Sequence, residues 1–172
     1  MPKFDVMISQ EKIADRVREM GAKITKEYAG KPIVVIGVLK GSFLFLADLV
    51  RAIENPLTVD FLGVSSYAGT ESTGVVKITH DLTKPIAGKH VLIVEDIVDT
   101  GLTLQYLVEN LKTRNPASLK VACLLDKPSR AKVRVPLEYV GFTIDDEFVV
   151  GYGLDYDGLY RNLPHIAIYR GE

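Results

Sequence analysis

The length, composition and charge of this chain indicate one ordinary globular domain over residues 1–172. The chain is 47% hydrophobic and 25% charged, which supports one buried core without a linker or second domain. Its formal net charge of −1 argues against a broad nucleic-acid-binding surface, whereas small anionic ligands stay compatible with it. Because no apolar signal segment or membrane-length run is visible, the sequence predicts a cytoplasmic protein without membrane contact.

The first forty residues predict a helix followed by a buried strand and a second helix. Apolar residues recur at helical spacing over residues 10–28, and the turn sequence of residues 29–32 ends that pattern. Residues 33–39 are continuously apolar, which is typical of a strand buried on both faces. Gly41 and Ser42 then open a second amphipathic helix.

Two further strands are predicted over residues 58–64 and 75–82. A polar loop of about residues 65–75 joins them, and it is too long for a tight hairpin. We therefore expect this loop to be flexible.

The most informative segment begins at an apolar strand over residues 91–94. Three acids, Glu95, Asp96 and Asp99, follow it, and the sequence Thr100-Gly-Leu-Thr103 then leads into a helix with apolar residues at helical spacing. In open α/β sheets ligands bind at the carboxyl ends of strands. Glycine, hydroxyl groups and a helix amino terminus favour a phosphate there, whereas carboxylates suit sugar hydroxyls, a hard cation or proton transfer.

A simpler interpretation is that Asp99 or Thr100 only caps the helix. That would account for one residue and not for three acids beside a phosphate-ready turn, so we favour a functional site.

The remaining chain predicts a buried strand over residues 119–125 and shorter strands near residues 142–144, 148–150 and 166–168. Cys123 lies in the first of these strands and is interpreted as core. Strands that alternate with helices predict an α/β fold with a mainly parallel twisted sheet flanked by helices. The carboxyl-terminal strands would add a small antiparallel hood at about residues 142–165.

The acidic segment resembles the phosphoribosyl pyrophosphate loop of the type I purine phosphoribosyltransferases. Further motifs resemble the hypoxanthine-guanine branch of that family in order and spacing, so that the resemblance covers nearly the whole chain. They are Leu39-Lys-Gly-Ser42, Ser65-Ser-Tyr67, Asp126-Lys-Pro-Ser129, the run from Phe148 to Tyr156, and Arg161. The resemblance implies an enzyme of purine salvage that transfers 5-phosphoribosyl from phosphoribosyl pyrophosphate to hypoxanthine, and also to guanine.

The resemblance also implies how the donor is bound. Glu95 and Asp96 would hold the ribose diol, and Asp99 would be the general base that takes a proton from purine N7. The phosphate would be bound by the turn that consists of Thr100, Gly101, Leu102 and Thr103. Leu102 has no polar side chain, so it would contribute only its backbone.

Lys40 and Gly41 would form the pyrophosphate loop, in which the family has a non-proline cis peptide, although Lys-Gly also suits an ordinary turn. Arg161 would bind the same group, since a guanidinium fits phosphate oxygens. Ser66 and Tyr67 would belong to a loop that closes over the sugar phosphate and excludes water.

The purine would be recognised by the carboxyl-terminal third of the chain. Phe148 would stack on the base, the backbone of Val149 would meet its edge, and Lys127 would donate to O6 and so favour 6-oxopurines over adenine. By local sequence alone Phe148 is a core residue and Arg161 a solvated one. Asp155 is either a turn acid or, as the family implies, a magnesium ligand.

The implied cofactor is Mg²⁺, with Glu95, Asp96 and Asp155 as candidate ligands. The implied partners are phosphoribosyl pyrophosphate, a 6-oxopurine and further copies of the chain in a homodimer or homotetramer, with no nucleic acid. Two rivals are weaker. A ligand-sensing regulator on the same fold would need a DNA-binding helix pair or a basic face. A phospho-receiver domain would open with the acidic strand, which here follows some ninety residues.

Overall fold

The computed structural model describes residues 1–66 and 76–171. Three helices and nine strands occur in this part of the chain, together with one short 3₁₀ turn, η1 (Pro128–Arg130). The strands are β1 (Phe4–Ile8), β2 (Ile33–Leu39), β3 (Leu57–Ser66), β4 (Val76–His80), β5 (His90–Val98), β6 (Ser118–Asp126), β7 (Tyr139–Thr143), β8 (Val149–Val150) and β9 (Ile166–Tyr169). The helices are α1 (Gln10–Tyr28), α2 (Phe43–Arg51) and α3 (Leu102–Lys112).

Six strands form the main sheet in the order β4-β3-β2-β5-β6-β7. All neighbouring pairs are parallel except β3 and β4, which pair antiparallel at one edge. The predicted mainly parallel sheet flanked by helices is confirmed. Because β5 lies between β2 and β6, the loops after these three strands meet at one edge of the sheet.

Strand β2 and residues 91–94 of β5 are apolar because both faces of the sheet are covered. Val91, Leu92 and Ile93 are fully buried. One core cluster includes the stripe of α1 and the inner face of α2, while a second contains Leu104, Leu107 and Leu111 of α3. Each predicted helix therefore buries its apolar stripe against the sheet.

Helix α1 shows why the predicted boundaries were accurate here. The Ser9 hydroxyl accepts a hydrogen bond from the Lys12 backbone N–H, which caps the amino terminus. Ala29 follows the helix with φ 46°, and its N–H donates to the Lys26 carbonyl.

A second, small sheet has the strand order β1-β9-β8 and is antiparallel, which confirms the predicted antiparallel hood. Strand β1 was not predicted, because its five residues show no clean alternation of apolar and polar types and its partner β9 lies near the other end of the chain. The small sheet thus ties the two ends of the chain together, beyond the predicted hood range of residues 142–165.

One boundary prediction was wrong at the site itself. Strand β5 runs to Val98, so that Glu95 and Asp96 lie within the strand and not in a loop after it. The apolar pattern ends at residue 94, yet pairing with β6 continues through Val98↔Asp126. Among the described residues, no helix is both long and apolar enough to cross a membrane.

Candidate active site

The predicted donor residues gather at the carboxyl ends of β2 and β5. Gly41 follows β2, whereas Glu95 and Asp96 lie near the carboxyl end of β5. An alanine Cβ at Gly41 would lie 1.7 Å from Oδ2 and 2.8 Å from Cγ of Asp96. Only glycine allows this approach, so the pyrophosphate-loop motif and the acidic pair are in direct contact.

Glu95 is buried to an unusual degree for a carboxyl group. It is only 8% exposed, and Asp96 beside it is half-buried. Burial raises the pKa of Glu95 well above its ordinary value, and the neighbouring charge of Asp96 adds to that rise. Burial also raises the pKa of Asp96, against the lowering effect of a hydrogen bond with Glu95, the Ile97 backbone N–H and the positive charge of Arg161. A buried carboxyl group beside a half-buried one is typical of a binding site, because burying neighbouring charges is unfavourable in a core.

The segment after β2 contains a non-proline cis peptide, between Leu39 and Lys40. The bond therefore precedes Lys40 and does not join Lys40 to Gly41. Lys40 itself is exposed. The buried Ser42 hydroxyl donates to the Val38 carbonyl at 2.6 Å, which closes the turn before α2.

The predicted phosphate turn lies at the amino terminus of α3. Gly101 has φ 84°, and a Cβ there would come within 2.6 Å of the Val133 carbonyl oxygen. A small cavity of about 100 Å³ opens beside it, lined by Glu95, Ile97, Val98, Asp99, Thr100, Gly101, Thr103 and Leu104. Backbone N–H groups at a helix start, a positive helix dipole and two threonine hydroxyls suit a phosphate.

Asp99, the predicted general base, has a charged partner. Arg130 Nε donates to Asp99 Oδ1 at 3.1 Å. Because Asp99 retains a second carboxylate oxygen, the pairing restrains the group without consuming both acceptors. The contact joins residues 31 positions apart, at the ends of the adjacent strands β5 and β6.

Lys127 is the predicted donor to the purine O6 and lies directly after β6. It is only 6% exposed, and its backbone N–H donates to the Val98 carbonyl at 2.9 Å. Its ammonium Nζ is 3.9 Å from Asp146 Oδ1, which is exposed to solvent. Asp146 Oδ2 also lies 3.7 Å from Arg130 Nη1. The two predicted purine-facing residues, Asp99 and Lys127, are thus linked through Arg130 and Asp146.

Val149 begins the hood strand β8, and Phe148 directly precedes it. Phe148 is 51% exposed, which contradicts the local expectation of a core residue, whereas Val149 is buried and pairs with Ile168 of β9. An aromatic ring that stays half exposed at the edge of the site is available to a flat ligand.

Asp155 and Arg161 are placed together in the hood. Arg161 Nη2 lies 3.3 Å from Asp155 Oδ1, and its Nη1 donates to the Gly153 carbonyl at 2.6 Å. Gly153 in turn packs on Gly41, since a Cβ at Gly153 would lie 2.2 Å from the Gly41 carbonyl oxygen. Arg161 is therefore held next to the pyrophosphate-loop motif, and the solvated alternative for Arg161 does not hold, because its side chain is only 26% exposed.

The carboxylates fit magnesium only in part. Within residues 1–66 and 76–171, no group of three or more His, Cys, Asp or Glu side chains is arranged to hold a metal ion. Asp155 is engaged with Arg161 and accepts from the Gly158 N–H at 2.8 Å. Mg²⁺ in substrate complexes commonly uses one or two carboxylates together with phosphate oxygens and water. The donor chemistry therefore fits a metal that arrives with a phosphorylated substrate, and the roles of Glu95, Asp96 and Asp155 as ligands stay predictions.

The predicted closing loop cannot be placed in the same way. Tyr67 lies outside the described residues, and Ser66 is described only as the last backbone position of β3. Sequence reasoning overlooked Arg130, Asp146 and Tyr156, which contact predicted site residues. Strand order would have been the only signal for the first two, because they follow β6 and β7 at the edge where β5 ends.

Comparison with known proteins adds an independent observation. The family model for the phosphoribosyl transferase domain matches residues 7–157 of this chain. This chain belongs to the phosphoribosyltransferase family. A hypoxanthine-guanine phosphoribosyltransferase of Staphylococcus aureus is 51% identical over 169 residues, which cover 98% of this chain and 94% of the relative. The predicted resemblance and the enzyme class are confirmed.

Solved structures of family members agree with the fold. A hypoxanthine-guanine phosphoribosyltransferase from Bacillus anthracis is 50% identical, with a TM-score of 0.90 over 96% of each chain. A hypoxanthine phosphoribosyltransferase from Staphylococcus aureus is 51% identical, with a TM-score of 0.93 over 96% of this chain and 91% of the other. The type I phosphoribosyltransferase fold predicted from the motifs is therefore confirmed.

Proposed function

We propose that this phosphoribosyltransferase makes inosine monophosphate (IMP) and pyrophosphate from hypoxanthine and phosphoribosyl pyrophosphate, and guanosine monophosphate (GMP) from guanine. The observation that carries the proposal is the position of Lys127. A buried ammonium can only donate hydrogen bonds, so it selects a carbonyl over an amino group at purine C6. The half-exposed ring of Phe148 would cover a face of the same base.

The donor would bind across the contact between Gly41 and Asp96. The turn of residues 100–103 would hold the 5-phosphate, the acidic pair would accept hydrogen bonds from the ribose hydroxyls, and Lys40 and Arg161 would neutralise pyrophosphate. Negative charge at Glu95 and Asp96 would also stabilise the positive charge that develops on the ribose ring during transfer. The protein thus orients two substrates along one line of attack.

Asp99 would accept the N7 proton as purine N9 attacks C1 of the sugar. Arg130 restrains one carboxylate oxygen and leaves the other for the purine. A bound Mg²⁺ would supply positive charge to the leaving pyrophosphate, with Asp155 and the acidic pair as the residues that would hold it. Closure of residues 65–75 over the sugar, as the family implies, would exclude water.

The proposal is tested by mixing purified protein, phosphoribosyl pyrophosphate and hypoxanthine, with and without Mg²⁺. We expect IMP and pyrophosphate in equal amounts, loss of both with a chelator, and recovery when Mg²⁺ is restored. Failure to convert any 6-oxopurine would overturn the proposal.

We also propose that the chain forms a homodimer or homotetramer. Phe43 on α2 and Val59 on β3 are large apolar side chains that are 40% and 42% exposed, and a second copy could cover such surface. Sedimentation velocity at micromolar concentration should give a mass of two or four chains. A single species with the mass of one chain would contradict this.

A further inference from the structure

The hood contains five aromatic rings in mutual contact, which we call the hood aromatic cluster. Its members are Phe4, Phe148, Tyr156, Tyr160 and Tyr169. Only Phe148 among them carries a predicted role. The cluster therefore contains side chains that contact Phe148, the residue predicted to stack on the purine, and that have no predicted role of their own.

Tyr156 and Tyr169 form the surface on which Phe148 rests. Their rings are stacked, with centroids 4.6 Å apart and an interplanar angle of 23°. The Phe148 ring meets Tyr156 at 5.8 Å and 88°, and Tyr169 at 6.2 Å and 72°. Both contacts are edge-to-face, a geometry that aromatic quadrupoles favour and that fixes the plane of a ring.

About half of Phe148 is covered by the protein, so its two ring contacts matter for its orientation. Its side chain is 51% exposed and precedes a strand of only two residues. A half-exposed phenylalanine without neighbours would sample several rotamers, and ordering it on a ligand would cost binding free energy. Packing against the rings of Tyr156 and Tyr169 orders Phe148 before the ligand binds, which reduces that cost.

Tyr156 is well suited to hold the ring, since its backbone is pinned. Its N–H donates to the Leu159 carbonyl at 3.1 Å, and the Leu159 N–H returns a hydrogen bond to the Tyr156 carbonyl at 2.9 Å. The Tyr156 side chain is itself 45% exposed. Its position on a closed turn, with its ring stacked on Tyr169, directs it toward Phe148 rather than into the core.

We propose that Tyr156 is a positioning residue for the purine, which holds Phe148 in the orientation that stacks on the base. This inference rests on the proposed function, because it takes the acceptor to be a purine that stacks on Phe148. It assigns the effect to the acceptor, because the Tyr156 ring contacts Phe148 and Tyr169, and neither of these is a predicted donor residue.

Phe4 provides a matched control within the same cluster. Its ring contacts Tyr160 at 4.9 Å and Tyr169 at 5.9 Å. Among the described ring pairs it has none with Phe148. Phe4→Leu therefore removes an aromatic ring from the cluster without removing either ring that contacts Phe148.

The experiment measures KM for hypoxanthine and for phosphoribosyl pyrophosphate separately in wild type, Tyr156→Leu, Tyr156→Phe and Phe4→Leu. Tyr156→Leu should raise the hypoxanthine KM by about 2- to 10-fold, the range that one aromatic pair contributes. The KM for phosphoribosyl pyrophosphate should stay within about twofold. Tyr156→Phe should restore wild-type values, because the ring and not the hydroxyl makes the contact, and Phe4→Leu should leave both constants unchanged.

The outcomes separate this inference from the proposed function. An unchanged hypoxanthine KM in Tyr156→Leu, an equal rise in both KM values, or the same rise in Phe4→Leu would overturn the positioning role while wild-type turnover of hypoxanthine stands. Absence of turnover in wild type would remove the proposed function, and the inference with it. Thermal melts accompany each variant, and if Tyr156→Leu does not fold, Tyr156→Met is judged by the same criteria.

Discussion

The donor and acceptor sides of the site break the ordinary rules of burial in opposite directions. On the donor side, Glu95 is a carboxyl group with 8% exposure on a central strand, whereas on the acceptor side Phe148 is an aromatic ring with 51% exposure directly before the short hood strand β8. Charged groups are rarely that buried, and large apolar patches are rarely left open without a partner. The donor side thus contributes buried negative charge, while the acceptor side combines a half-exposed apolar ring with the buried ammonium of Lys127.

The largest expected effect tests the boundary between the two sides, where Asp99 lies. Asp99→Asn keeps an oxygen that can accept from Arg130, so its placement should persist while its basicity is lost. We expect kcat to fall by about 10²- to 10⁴-fold, the usual contribution of general base catalysis, with little change in KM for phosphoribosyl pyrophosphate. Steady-state kinetics checks this. Asp145→Asn, a change at an exposed acid, should have no effect, and unchanged kcat in Asp99→Asn would remove Asp99 as the base.

The close contact on the donor side is tested by Gly41→Ala. Its new Cβ would occupy the place of Asp96 Oδ2, so the carboxylate must move. Crowding of this kind costs about 1–3 kcal/mol, and we expect a rise of about 10- to 100-fold in KM for phosphoribosyl pyrophosphate. Gly37→Ala crowds Leu46 in the core instead and should lower thermal stability without raising that KM. An unaltered KM in Gly41→Ala would mean that the contact does not position the donor.

The selectivity of the acceptor side is tested by Lys127→Met. Loss of the only buried ammonium among the described residues should lower kcat/KM for hypoxanthine by about 10- to 100-fold, the worth of a charged hydrogen bond. Turnover of adenine should not fall. Parallel assays with both bases measure the ratio, and Lys89→Met, at an exposed lysine near the opposite end of β5, is the control. Equal losses for both bases would contradict the selective role.

The smallest effect concerns stability and comes from the buried acid. Because the pKa of Glu95 is raised in the folded protein, the folded state keeps a proton that the unfolded chain releases at lower pH. Its contribution to stability is therefore complete below the ordinary carboxyl pKa and is lost as pH rises through the raised pKa. Glu95→Gln removes this loss and should therefore raise Tm at pH 8 relative to wild type.

Thermal melts of Glu95→Gln and wild type at pH 5 and pH 8 measure that difference. The advantage of the variant should be larger at pH 8, while its KM for phosphoribosyl pyrophosphate should worsen. A larger advantage at pH 5 would show that the buried Glu95 does not lower the stability of the folded protein as pH rises.

The contrast between the two sides also explains what could be predicted from the sequence. The acids and the phosphate turn of the donor side are contiguous from Glu95 to Thr103, so a strand pattern, acids and a glycine turn indicated a phosphate site without any alignment. The predicted strand ended too early, because Glu95 and Asp96 are polar residues within β5. A pattern of apolar residues cannot indicate that a strand continues through polar ones.

The acceptor side could be predicted only through the family resemblance. Phe148 looks like a core residue in local sequence, and its exposure and contacts depend on how the hood folds over the sheet. The same holds for Arg161, a predicted donor residue that also lies in the hood. Partners such as Arg130 for Asp99 and Tyr156 for Phe148 arise from tertiary proximity, because 31 residues separate the first pair. Strand β1 was overlooked for the same reason, since it is completed by the last strand of the chain.

The central claim is that a buried cation selects a 6-oxopurine for a donor held by the acidic pair Glu95 and Asp96. The most direct measurement presents hypoxanthine, guanine and adenine at equal concentration with phosphoribosyl pyrophosphate and Mg²⁺, and identifies the nucleotides by mass spectrometry. The account predicts inosine and guanosine monophosphates with little or no adenosine monophosphate. Adenosine monophosphate as the main product, or no nucleotide at all, would contradict it.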